Sequence, residues 1–193
     1  MKKPLIAALA AVPILLLGAA APAAGVTKTA VFAGGCFWSA EKAMESLAGV
    51  SDAVSGYAGG AARNPTYENH RGHYEVVKVT YDPAKVSYAQ VVNHFFRNID
   101  PTDPNGQICD QGPSYRTAVF TADPAERQVA EAAKAQVTRT LGKPVSTAIL
   151  PATTFWVAEG YHQNYAKKNP MQYNAYRIGC GRDRALTAVW GGR

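Results

Sequence analysis

Cysteine is scarce in this chain: only Cys36, Cys109 and Cys180 occur among its 193 residues. That excludes a small disulfide-stapled scaffold, and a domain of this length buries enough apolar surface to fold without such bonds. An odd number of thiols leaves one without a partner in the chain and points to reactivity. Beyond residue 20 no long apolar run remains, so nothing there matches the roughly 20 residues of a membrane-spanning helix. Internal repeats and low-complexity segments are absent, which sets aside solenoids and disordered linkers. No basic stripe with interleaved aromatics is present either, and nucleic-acid binding is not expected.

The single apolar run, Leu5 to Ala20, follows Lys2 and Lys3 and leads into Ala21, Pro22, Ala23 and Ala24. A positive start, a short apolar stretch and small residues at the exit are the layout of a secretory signal peptide. The run is interrupted by Pro13 and has no cysteine at its end, so neither a spanning anchor nor a lipid-modified terminus is expected. Residues 1–24 are therefore read as a signal peptide and residues 25–193 as one exported domain, periplasmic or otherwise extracytoplasmic, with no stable membrane insertion after cleavage. Removing Lys2 and Lys3 lowers the net charge from +6 to +4, a mild and dispersed excess that favours solubility and names no partner. A monomer is expected.

Along that domain, apolar periodicity predicts a strand over 29–33, broken by Gly34-Gly35, and a helix from Cys36 to Leu47. In that helix Phe37, Ala40, Met44 and Leu47 form the apolar face, with Glu41, Lys42 and Glu45 expected toward solvent. Further strands are predicted over 50–57 and 74–81, the latter alternating Val77, Val79 and Tyr81 against Val76, Lys78 and Thr80. Ser87 reads as the cap of a helix through Phe96. Residues 98–114, dense in Asp, Pro, Gly and Asn, read as an ordered loop. A strand over 115–121, a helix opening at Asp123-Pro124 and closed by Gly142, and a strand over 145–150 follow. After Pro151 the pattern weakens. Two strands with no helix between them point to an α/β (α+β) two-layer sandwich with a mixed, ferredoxin-like sheet and a less regular, mobile C-terminal extension.

The sharpest local feature is Gly34-Gly35-Cys36-Phe37-Trp38. Two glycines permit a tight turn, and the next residue meets the unpaired N–H groups and dipole of a helix start. A thiolate is stabilised there, so Cys36 is expected to be a nucleophile of lowered pKa.

These residues resemble the active-site signature of the class A peptide-methionine sulfoxide reductases. The resemblance continues through Gly56-Tyr57, Asn64-Pro65-Thr66-Tyr67, Gly72-His73-Tyr74-Glu75, Asp100-Pro101-Thr102, Gln107, Asp110, Tyr115-Arg116, Ala158-Glu159 and His162-Gln163-x-Tyr165. It implies that Cys36 attacks the sulfur of methionine (S)-sulfoxide, free or protein-bound, and becomes a sulfenic acid. Glu75 would be the general acid, Tyr67 and Tyr115 donors to the sulfoxide oxygen, Phe37 and Trp38 the wall around the methyl group, and Asp110 a contact near the substrate. Cys180 would resolve the sulfenic acid as a disulfide, and a thioredoxin-like donor would reduce it, with no metal or organic cofactor. Cys109, next to Asp110, competes with Cys180 for that role. His70 and His73 are not read as metal ligands, and His162 is read as structural or as a support behind the residues of the site.

The chain departs from the family pattern at Ser39, Ile99, Gly106 and Ile108, and in the ending Cys180-Gly-Arg-Asp-Arg-Ala-Leu. The common form has Arg and Gly at positions 106 and 108. Two rival readings stand beside this one: a thiol peroxidase, and a non-enzymatic exported domain with a structural Cys36–Cys180 disulfide.

Overall fold

The computed structural model describes residues 25–191, so the expected signal peptide lies outside the described residues. The chain forms β1 (Lys28–Gly34), α1 (Phe37–Glu45), β2 (Val50–Ala58), β3 (Tyr74–Tyr81) and α2 (Tyr88–Arg97). A small hairpin of β4 (Gly106–Gln107) and β5 (Asp110–Gln111) follows, then β6 (Thr117–Thr121), α3 (Pro124–Leu141), β7 (Ala148–Pro151) and β8 (Trp156–Val157). The chain ends in α4 (Tyr165–Lys168), α5 (Pro170–Gly179) and α6 (Arg182–Trp190).

The main sheet runs β7-β6-β1-β3-β2-β8. Its middle four strands are antiparallel neighbours, with α1 after β1 and α2 after β3, which is the ferredoxin-like arrangement expected from the sequence. The sheet becomes mixed because α3 carries the chain back to lay β7 parallel to β6.

Strand periodicity divides the core. Phe32, Val77, Val79 and Tyr81 face α1 and α2, where Phe32 stacks on Phe95 at 4.9 Å between ring centroids. Ala33, Val76, Ala118 and Phe120 face the opposite side, partly covered by Phe155. Glu75 keeps step with Val77 and Val79, so the pleat sends its carboxyl under the start of α1.

Helix α1 differs from expectation at one position. Glu41, expected on the solvent face, is 1% exposed, because the buried stripe runs through Phe37, Ala40, Glu41 and Met44. Both its carboxylate oxygens accept the Asn164 amide at 3.0 Å, anchoring the segment that leads into α4.

The expected irregular C-terminal extension is instead helical. Tyr173, Tyr176 and Cys180 share one face of α5, and Arg182, Leu186 and Trp190 share one face of α6. Arg182 is buried and donates to the Asn98 carbonyl at 2.8 Å, and the Trp190 indole N–H donates to Ile99 at 2.9 Å. An arginine within the inward stripe, and a glycine on each side of Cys180, hide the helical period from a sequence reading.

The α2 start is a full capping box: the Ser87 hydroxyl accepts the Gln90 amide at 3.3 Å and the Gln90 side chain accepts the Ser87 amide at 2.9 Å. Ser87→Ala is expected to lower stability by about 1 kcal/mol. The check is a urea titration, with a lower midpoint at unchanged slope.

Candidate active site

The turn between β1 and α1 is held by the loop expected over 98–114. Gly35 has φ +79°, and a Cβ there would run into the side chain of Gln107. Gln107 is fully buried; its carbonyl accepts the Asp100 amide at 2.7 Å and its amide donates to the Asp100 carbonyl at 3.0 Å. The close seating of Gln107 on Gly35 brings the β4–β5 hairpin, and with it Asp110, to the start of α1.

Cys36 is the N-cap residue, with its carbonyl accepting the amides of Ser39 and Ala40 at 3.1 and 3.2 Å. It is a free thiol and 8% exposed. The expected lowering of its pKa is not what the environment produces. Burial, and then the neighbouring Glu75 carboxyl, push it up to about 12; a hydrogen bond from Tyr176 opposes this, Asp110 adds a smaller rise, and the Trp38 backbone opposes it least. Desolvation and two nearby acids outweigh the helix start.

Glu75 is 1% exposed and accepts the Phe37 amide at 3.0 Å. Burial raises its pKa to about 8, the Phe37 hydrogen bond opposes this, and Asp110 adds to it. The carboxyl is therefore largely protonated at neutral pH. The Tyr67 and Tyr115 hydroxyls share the cavity, and burial raises the pKa of both. Trp38 stacks on Tyr165 at 3.7 Å and donates its indole N–H to His162 Nδ1 at 3.0 Å, while Phe37 lies 4.7 Å from the His162 ring. A cavity of about 200 Å³ is lined by Cys36, Phe37, Trp38, Tyr67, Glu75, Asp110, Tyr115 and Tyr176.

This assembly of a buried thiol, a buried acid, two tyrosine hydroxyls and an aromatic wall can be compared with known proteins. Residues 28–193 match the family model described as peptide methionine sulfoxide reductase. The chain belongs to the peptide methionine sulfoxide reductase family. Among curated relatives, it is 51% identical to peptide methionine sulfoxide reductase MsrA 2 of Caulobacter vibrioides, over 94% of this chain and 96% of that one. It is 47% identical to MsrA 2 of Rhizobium meliloti, over 85% and 84% of the two chains. Among solved structures, methionine sulfoxide reductase A of Corynebacterium diphtheriae superposes with TM-score 0.67 at 33% identity, covering 75% of this chain and 76% of that one. Reduced Mxr1 of Saccharomyces cerevisiae superposes with TM-score 0.71 at 30% identity, covering 75% and 87%. This reductase is of class A, a peptide-methionine (S)-S-oxide reductase.

The structure brings together every residue singled out from the reductase motifs except Cys180. Cys180 is bonded to Cys109, with Cα atoms 5.3 Å apart, and Cys36 is free. A structural Cys36–Cys180 bond is thus not the pairing observed. The Cys109–Cys180 bond lies at the rim of the site, since both sulfurs and an Asp110 oxygen lie within 4.8 Å of one another. His73 and His70 are engaged by backbone: the His73 ring accepts the Gly60 amide at 3.2 Å and bonds the Ala62 carbonyl at 2.9 Å, and His70 Nδ1 lies 2.8 Å from the Tyr67 carbonyl.

Two contributors were missed. Tyr176 reaches the cavity from α5 and donates its hydroxyl to Asp110 at 2.5 Å. Glu159 accepts the Tyr67 amide at 2.8 Å and the Tyr57 hydroxyl at 3.0 Å, fixing the loop that carries Tyr67. Only the Ala158-Glu159 motif hinted at the second, and nothing marked Tyr176 among the aromatics of the ending.

Two buried carboxyl groups set a pH dependence of stability. Burial raises Glu41 to about 7 and Glu75 to about 8, from an ordinary 4.5. Between those values the folded chain retains protons that the unfolded chain has lost, so stability falls as pH rises through this window. Glu41→Gln is expected to flatten the fall below pH 7, a difference of about 3 kcal/mol from one end of the Glu41 window to the other. Urea midpoints measured at stepped pH for both proteins check this; parallel declines would reject it.

Proposed function

We propose that this reductase works outside the cytoplasm as a repair enzyme for oxidised methionine, using Cys36 as nucleophile and Glu75 as general acid. The observation that carries the mechanism is the buried Glu75 carboxyl, raised to about 8, in the same cavity as the Cys36 thiol. Protonated near neutral pH, it can give a proton to the sulfoxide oxygen, whose negative charge the Tyr67 and Tyr115 hydroxyls also meet. Phe37 and Trp38 hold the S-methyl group against an apolar surface.

The Cys36 sulfur attacks the substrate sulfur as the oxygen is protonated, and the thiol proton passes to the Glu75 carboxylate left behind. The substrate S–O bond and the newly formed S–S bond then break as the oxygen passes to Cys36, which is left as a sulfenic acid, and methionine leaves. A raised thiol pKa fits this order, because Cys36 needs to lose its proton only when Glu75 has given one up.

Cys180, in the reduced enzyme, condenses with the sulfenic acid, forming a disulfide and releasing water. Attack by the Cys109 thiolate on Cys180 would then free Cys36 and leave Cys109–Cys180, the pair observed. A thioredoxin-like dithiol would reduce that pair. Support for such a donor comes from a relative: Mxr1 of Saccharomyces cerevisiae has a solved structure in complex with Trx2. The export reading rests on residues 1–24, which begin with Lys2, Lys3 and the apolar run.

The test is turnover of dabsyl-methionine sulfoxide epimers with dithiothreitol. The S epimer is expected to react and the R epimer not, and Cys36→Ser is expected to abolish turnover. Glu75→Gln is expected to lower kcat/KM by about 10²-fold or more and to remove the wild-type decline as pH rises through about 8. Equal turnover of both epimers, or an unchanged alkaline limb in Glu75→Gln, would refute the assignment. Peroxide consumption without sulfoxide turnover would favour a thiol peroxidase.

A further inference from the structure

Residues 109 and 110 face residues 180 and 176 across the rim of the cavity. Cys109 is bonded to Cys180, and one residue on, Asp110 accepts the Tyr176 hydroxyl. Tyr176 lies on α5 and Cys180, four residues on, caps it with its amide donated to the Tyr176 carbonyl, so the two lie on one side of the helix. The disulfide and the hydrogen bond are therefore two adjacent rungs joining the β4–β5 hairpin to α5. Above the second rung, the Tyr176 hydroxyl faces the Cys36 sulfur within the cavity. The ring also meets Trp38 edge-on, at 6.1 Å and 86°, against the wall proposed for the methyl group.

The hairpin side of this ladder is strained. Ile108 holds φ +61° in the turn between Gln107 and Asp110, a conformation costly for a β-branched residue. A turn of this kind persists when its surroundings hold it, and the bond from the next residue, Cys109, to α5 is such a restraint.

We propose that Tyr176 is a gate over the reacting centre, set by the redox state of the Cys109–Cys180 pair. With the pair oxidised, the tyrosine closes over Cys36. When a dithiol reductant takes up the oxidising equivalents and leaves two thiols, the first rung is gone, α5 is held beside the hairpin by the Asp110 bond alone, and the tyrosine can leave the cavity. The arrangement has a chemical rationale: while Cys109 and Cys180 are bonded to each other, no thiol is available to resolve a Cys36 sulfenic acid. Closing the cavity in that state keeps Cys36 from being oxidised without a partner. The inference rests on the reading of Cys36 as the nucleophile, but its test does not require sulfoxide turnover.

The experiment is the rate at which iodoacetamide modifies Cys36, followed by peptide mass spectrometry. It uses wild type and Tyr176→Ala with the pair oxidised or reduced, Tyr176→Phe with the pair oxidised, and the Cys109→Ser/Cys180→Ser double variant. Reduction of wild type is expected to speed Cys36 modification by about tenfold or more, and the double variant should match the reduced protein. Tyr176→Ala should react fast even when oxidised, with Tyr176→Phe between the two. Near-UV circular dichroism and a urea midpoint establish that each variant is folded, and the double variant decides the matter should Tyr176→Ala not fold. Equal Cys36 rates in oxidised and reduced wild type, or a redox dependence that survives in Tyr176→Ala, would overturn the proposal. A redox-dependent Cys36 rate in a protein that turns over neither sulfoxide epimer would instead retain the gate and reject the reductase mechanism.

Discussion

The bond from the Phe37 amide to the Glu75 carboxyl is the contact on which the site depends. It ties the centre of the sheet to the first turn of α1, and so fixes the acid beside the Cys36 thiol one residue earlier. It also satisfies one of the helix's unpaired N–H groups with a side chain rather than water. The same bond is too weak to keep the carboxyl ionised, because burial prevails. An acid that stays protonated and a thiol that stays neutral follow from one fact, the exclusion of water from the space under α1.

Around that contact, each wall of the cavity comes from a different part of the chain. Gln107, pressed onto Gly35 and bonded twice to the Asp100 backbone, brings the central loop in. Glu159, bonded to the Tyr67 amide and the Tyr57 hydroxyl, brings in the loop with the first tyrosine. Buried Glu41 holds the segment after Glu159 through the Asn164 amide. Two carboxyl groups outside the cavity thus do structural work that looks, in a helical wheel or a list of motifs, like ordinary surface charge.

The departures from the family pattern gather on one side. A Cβ at Gly106 would strike the Asp110 carbonyl, so the hairpin closes more tightly than a longer residue there would permit. Ile108 then takes the left-handed turn that a glycine would take without strain. The cysteine that follows bonds to α5, and the unusual ending packs as two helices rather than hanging free. The changes at 106 and 108, Cys109 and the ending belong to one surface, where the C-terminal segment meets the hairpin.

Much of the architecture was legible beforehand. Period-2 alternation over 74–81, the Ser87 cap and the Asp123-Pro124 to Gly142 helix all describe local backbone preferences, and the structure follows them. The place of the free thiol was legible for the same reason, since a glycine turn before a helix start is a local feature, and the family motifs named the other groups around it. What only the tertiary structure decided is the environment of those groups. A helix start suggests a lowered thiol pKa, yet two acids and burial, contributed by β3 and the hairpin, raise it. Glu41 and Tyr176 acquire their roles from partners 123 and 66 residues away, Asn164 and Asp110. Spacing along the chain determines which elements form; which charges and hydroxyls lose their water, and so what chemistry they can do, is settled only when distant segments pack.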